Sequence, residues 1–192
     1  MHKVSDWVLK NKIIIIVLVF TVAMIIFLFF NNQNNVYYDQ QTGISLNLPK
    51  NWLELSKDDV ATYNPEAKIG FIKTDSEDTT LGFRIDEVPG KENFKIQESL
   101  EVIKQGYQEK IDDFTIIDEK ISSFLNTPSI DLTYSYSVPT DDKGGKYRGT
   151  QRQILFLHNE KFYRLMFNTS PKDFERDNKD FEKILNTFQI DS

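Results

Sequence analysis

The 192 residues carry 23 Lys and Arg against 29 Asp and Glu, a formal charge of −6, with 40% apolar and 13% aromatic residues. That balance excludes the dense basic surface a phosphate backbone demands, so no nucleic-acid partner is expected, and the apolar content supports a packed core over most of the chain. With no cysteine there is no disulfide framework, thiolate metal site or thiol nucleophile. The length suits one globular domain with a short appendage.

The appendage is residues 13–30, IIIIVLVFTVAMIIFLFF, where Thr21 is the only polar residue. At about 1.5 Å per residue the run spans roughly 27 Å, close to the roughly 30 Å hydrocarbon core of a bilayer. A helix buried in a soluble core would show a polar face with a period of 3.6, and this run has none. It exceeds the about 7–15 apolar residues of a signal-peptide core, and Leu28-Phe29-Phe30-Asn31 offers no small residues for cleavage. An uncleaved transmembrane signal-anchor helix is therefore expected. Lys3, Lys10 and Lys12 against Asp6 precede it, and the first basic residue beyond it is Lys50. The positive-inside bias puts residues 1–12 in the cytoplasm and residues 36–192 outside the cell membrane, with the bilayer as one partner and residues 31–35, NNQNN, as a polar tether. Since residues 1–12 carry +2 of the total −6, the exported part carries −8 and is repelled by anionic headgroups.

Beyond the tether, Val36-Tyr37-Tyr38 and Ile44–Leu48 read as two strands around the turn 39–43, the second half buried by its alternation. Residues 67–73 and 80–88 read as a second pair around Asp75-Ser76-Glu77-Asp78. Ile96, Leu100, Ile103, Tyr107 and Ile111 then predict an amphipathic helix over 93–111, which Gly106 is expected to end or bend. Leu132, Tyr134, Tyr136 and Val138 alternate on a strand. The loop 140–146 leads into a strand over 147–157, and His158–Lys161 turns the chain back through 162–168. Ile154–Leu157 and Leu165–Phe167 are apolar at consecutive positions, which predicts a sheet covered on both faces. So short a connection requires antiparallel pairing. Ser170 as N-cap and Pro171 at the first helical position open a closing helix striped by Phe174, Phe181, Ile184, Leu185 and Phe188. The expected fold class is α+β: an α/β/α sandwich with a central antiparallel sheet, preceded by one transmembrane helix.

The order of motifs carries a resemblance. Tyr38-Asp39 with Thr42-Gly43-Ile44-Ser45-Leu46, then Leu48-Pro49-Lys50-Asn51-Trp52, the strand Asp131–Tyr136, the strand Phe162–Phe167 and the closing Phe174…Phe188 helix together resemble the PsbP-like family. The resemblance covers nearly all of residues 36–190. It implies an α/β/α sandwich around an antiparallel sheet, bacterial relatives that are exported or anchored without an established activity, and a fold, shared with a eukaryotic regulator of a small nuclear GTPase, that serves binding more than catalysis. It transfers no functional residues.

The search for chemistry yields little. The exported part has one histidine, His158, in a predicted turn, and no Gly-x-Ser-x-Gly elbow accompanies any serine. The acid clusters Asp75–Asp78, Asp112-Asp113 and Asp141-Asp142 lack the alternation of a calcium loop, and Gly144-Gly145 lacks the context of a phosphate loop. Arg148, Thr150 and Arg152 lie two apart on one strand and share a face. In an acidic domain the arginine pair either receives a carboxylate or acidic partner, or pairs across strands with the protein's own acids. Asn168-Thr169-Ser170 fits the glycosylation pattern, but Ser170 already reads as a helix cap. No catalytic residue, metal ligand or cofactor is expected. The favoured reading is a non-enzymatic, membrane-anchored module that binds a protein or small ligand. The alternatives are an anchored hydrolase or metal-dependent enzyme using carboxylates dispersed in sequence, and an envelope protein whose role lies in its anchor.

Overall fold

A computed structural model describes residues 35–63, 66–88, 95–140 and 145–191. The expected cytoplasmic segment, transmembrane span and all but the last tether residue lie outside the described residues, as do Asp141, Asp142 and Gly144. Among the described residues no helix is long and apolar enough to cross a membrane.

The chain begins with β1 (Asn35–Asp39) and β2 (Ile44–Leu48), joined by the expected tight turn. Gly43 takes a left-handed φ of 70° there and donates its N–H to the Asp39 carbonyl at 2.9 Å. The Gly43 carbonyl accepts the N–H of Asp191, also at 2.9 Å, which brings β10 (Gln189–Ile190) to β2 and closes a three-stranded sheet. The large sheet has seven strands. In spatial order they are β3 (Trp52–Glu54), β4 (Ile69–Lys73), β5 (Ser76–Glu87), β9 (Lys161–Thr169), β8 (Gly145–His158), β7 (Thr127–Thr140) and β6 (Asp112–Phe124). Every neighbouring pair is antiparallel, as the short connection between β8 and β9 required for that pair.

Among the described residues three helices accompany the sheets: α1 (Lys57–Tyr63), α2 (Ile96–Lys110) and α3 (Phe174–Leu185). Successive residues of β8 show which face α2 and α3 cover. The Arg152 guanidinium lies over the Phe181 ring of α3, while the next residue, Gln153, accepts a hydrogen bond from Tyr107 of α2. Since neighbours on a strand point to opposite faces, the two helices sit on opposite sides of the sheet. This is why Ile154, Leu155 and Phe156 are all buried. On the α3 side Phe181 stacks on Phe167 at 5.0 Å and Phe188 on Phe83 at 5.6 Å. Ile44, Leu46 and Leu48 of the small sheet join the same core. On the other side Ile96 and Leu100 are buried, with Ile103 and Tyr107 packed beside them.

The architecture is thus sheet-dominated α+β with antiparallel sheets, and it departs from the expectation in several particulars. β3, α1, β6 and β10 were not foreseen. β5 starts at Ser76, so only Thr74 and Asp75 form the turn before it. α2 runs unbroken through Gly106 to Lys110, because packing of the stripe Ile96, Leu100, Ile103 and Tyr107 outweighs about 1 kcal/mol of glycine propensity. α3 starts at Phe174 with Asp173 as N-cap, and residues 171–173 form a turn. Ser170 instead donates its hydroxyl to the Asp173 carboxylate at 2.6 Å. His158 is the last residue of β8, half-buried with its ring edge-on to Tyr163, rather than a residue of the turn.

Candidate functional site

α2 ends at Lys110, and beyond Tyr107 its face of the sheet opens into a groove of about 710 Å³. The strand register builds the floor. Thr80 of β5, Asn168 of β9, Gln151 of β8 and Tyr134 of β7 are successive cross-strand partners and form one row across four strands. Hydrogen bonds run along that row. Tyr134 donates its hydroxyl to Gln151 Oε1, Gln151 Nε2 donates to Asn168 Oδ1 at 2.6 Å, and Asn168 Nδ2 reaches Thr80 Oγ1 at 3.4 Å. Gln153 ties the row to the helix: its Nε2 donates to Tyr134 Oη at 3.0 Å and to Gln151 Oε1 at 2.6 Å, and its Oε1 accepts from Tyr107 at 2.7 Å.

Tyr136 and Tyr147 extend the groove toward the far end of β7 and β8. Tyr136 stands directly opposite Gly149, where a Cβ would overlap the tyrosine ring. The missing side chain lets the ring lie across the neighbouring strand. Burial pushes the phenols up. For Tyr134 the neighbouring Tyr107 and Tyr136 add to burial, for Tyr136 Asp78 does, and Tyr147 is pushed up to about 12 by burial and then by Asp78. The tyrosines are therefore protonated throughout the physiological range. The floor is neutral, built of amides and phenols that both donate and accept. Its charged lining residues, Asp78, Lys110 and Asp112, are exposed.

The candidate arginines lie on the opposite face. Arg148, Thr150 and Arg152 do share one side of β8, the side of α3. Arg152 is buried and forms a bidentate pair with Asp131, Nε to Oδ1 at 2.9 Å and Nη2 to Oδ2 at 2.7 Å. Its Nη1 meets Asn178 at 2.9 Å and Glu182 at 2.5 Å. The protein's own acids thus hold this guanidinium, while Arg148 stands exposed.

A second buried charge cluster, which the sequence reading missed, joins β4 to α3. Lys73 Nζ lies 2.6 Å from Asp177 and 3.1 Å from Asp180, with the Lys73 side chain 3% and the Asp177 side chain 0% exposed. Thr79 and Thr169 donate to Asp177 at 2.8 and 3.2 Å, and Arg176 reaches it at 2.7 Å. Burial raises the Asp177 carboxyl, but hydrogen bonds from Arg176, Lys73 and Thr79 outweigh it and hold the group well below the usual carboxylate range. The available signal was an Asp on the apolar stripe of α3, between Phe174 and Phe181. Among the described residues no cluster of three or more His, Cys, Asp or Glu is placed to hold a metal ion.

Comparison with known proteins places this fold. No curated protein sequence matches the chain. Among solved structures it is similar to the cyanobacterial PsbP protein CyanoP of Synechocystis sp. PCC 6803, with 13% identity, a TM-score of 0.59, and 82% of this chain and 92% of that one covered. It is also similar to LpqN of Mycobacterium tuberculosis, a protein involved in cell envelope biogenesis (14% identity, TM-score 0.55, coverage 83% and 91%). A third likeness is the Ran-binding protein Mog1p of Saccharomyces cerevisiae (9% identity, TM-score 0.53, coverage 82% and 95%). At such identities these likenesses speak to the fold alone. The family described as PsbP-like protein matches residues 28–190, most of the sequence, and the chain belongs to that family.

Proposed function

We propose that the protein is a non-enzymatic binding module, anchored by residues 13–30 and facing outward, which takes a protein segment or small ligand into the groove beside α2. The observation that carries this reading is the neutral floor of cross-strand tyrosines and amides. Such groups bind by stacking and by hydrogen bonds. Phenols raised by burial do not exchange protons near neutral pH, so they are poor acids and bases for catalysis. The name of one structural relative, the Ran-binding protein Mog1p, supports a protein partner as the kind of ligand this fold accepts.

The test is site-specific photo-cross-linking of the full chain in its native membrane. A benzophenone side chain at Tyr147, inside the groove, is expected to give a discrete adduct that Tyr136→Ala abolishes. The same group at Lys57, on α1, is expected to give none. Equal labelling from both positions, or an adduct indifferent to Tyr136→Ala, contradicts the groove as the binding site.

A further inference from the structure

β6 is the terminal strand of the seven-stranded sheet, and among the described residues it pairs only with β7. Its outer side presents unpaired backbone N–H and C=O groups along a mostly exposed strand of 13 residues. Ile117 and Ile121 stand 56% and 54% exposed on it. Charged residues on an edge strand ordinarily repel other edges. Here their order does the opposite for one partner, a second copy of the same strand.

Residues 117–121 read Ile-Asp-Glu-Lys-Ile. When two copies lie antiparallel with Glu119 opposite Glu119, Asp118 of each meets Lys120 of the other, and Ile117 of each meets Ile121 of the other. The faces agree as well. Asp118 pairs with Thr133 and Lys120 with Asp131, two apart on β7, so both charges lie on the Arg152 side, and a twofold axis perpendicular to the sheet keeps them there. Glu119 lies on the α2 side, where Lys104 Nζ sits 2.9 Å from its carboxylate and offsets the like charge on the axis. Moving the axis to Asp118 or to Lys120 sets like charges opposite each other without the lysine that offsets Glu119, and charges opposite isoleucine, so the Glu119 register is favoured over both. Ile117 is the extra residue at the slip between Ile116 and Asp118 and stands opposite no residue of β7, so the regular stretch begins at Asp118, which limits the pairing to this segment.

We infer that β6 is a self-pairing edge through which two copies join their large sheets about a twofold axis at Glu119. The chain has no cysteine, so an introduced thiol is unique. Directly opposed residues on antiparallel strands have Cα atoms about 4.5–5.5 Å apart, within the reach of a disulfide. In the full chain held in its membrane, Glu119→Cys is expected to oxidise to a disulfide dimer about tenfold faster than Val102→Cys, an exposed position on α2; tenfold corresponds to ~1.4 kcal/mol of pairing. Asp118→Lys in the Glu119→Cys background is expected to slow this step, and adding Lys120→Asp to restore it. Restoration also shows that the variants fold. Equal rates at positions 119 and 102, as association through the anchor alone would give, or a charge swap that fails to restore cross-linking, overturns the inference.

Discussion

Asp177 shows how much one side chain determines. Its carboxylate is buried against Lys73, Thr79 and Thr169 at the junction of β4, β5, β9 and α3. Removing Lys73 takes a charged partner from Asp177 and leaves it to Arg176, Thr79 and Thr169, so Lys73→Met is expected to cost ~1–3 kcal/mol in denaturant unfolding. The acid response has a definite sign. Asp177 and Asp86 both titrate below their ordinary value near 3.8, in each case because hydrogen bonds outweigh the upward push of burial: from Arg176, Lys73 and Thr79 at Asp177, and from Arg84 and Arg164 at Asp86. The unfolded chain therefore binds protons first as pH falls. Their stabilisation is complete above the ordinary carboxylate range and is lost as pH drops through the folded values. Thermal melts are expected to hold between about pH 7 and 5 and to fall below about pH 4, and Asp177→Asn is expected to flatten that fall. A wild-type melt that declined instead between about pH 5 and 7 would contradict the assignment. The Thr80–Asn168–Gln151–Tyr134 row was not legible in the sequence, and of this cluster only Asp177, on the apolar stripe of α3, left a signal. Both depend on strand register, which sets residues 88 apart, as Thr80 and Asn168 are, directly opposite one another.

At the scale of elements, local pattern carried most of the reading. The 4-3-4-4 spacing of apolar residues marked α2, and consecutive apolar positions marked β8 and β9 as strands covered on both faces. The errors arose where local chemistry and packing disagree. Gly106 looked like a bend, yet nothing lies within 4 Å of where its Cβ would stand and the helix continues past it. Gly106→Ala is accordingly expected to stabilise the domain by ~1 kcal/mol, measured as an upward shift of the unfolding midpoint. A destabilisation would mean that α2 is strained at that point. β6 escaped notice because an edge strand exposed on both faces over much of its length, with a register slip, shows no clean alternation. Its place rests on packing against α2 and pairing with β7, and no stretch of local sequence announces either.

For the molecule as a whole, composition and flanking charge carry the account. We propose that the 18-residue apolar run, preceded by lysines and followed by a stretch of net −8, anchors an outward-facing domain. The family and the α+β architecture agree with the sequence reading, and the groove beside α2 is where we propose that binding takes place. The most direct measurement uses the cysteine-free chain with a single thiol at Lys57 or at Ser5, probed in intact cells with a membrane-impermeant maleimide. The account predicts labelling at position 57 without lysis and at position 5 only after permeabilisation. Protection of position 57 in intact cells, or a mature chain from which position 5 has been removed, would contradict it.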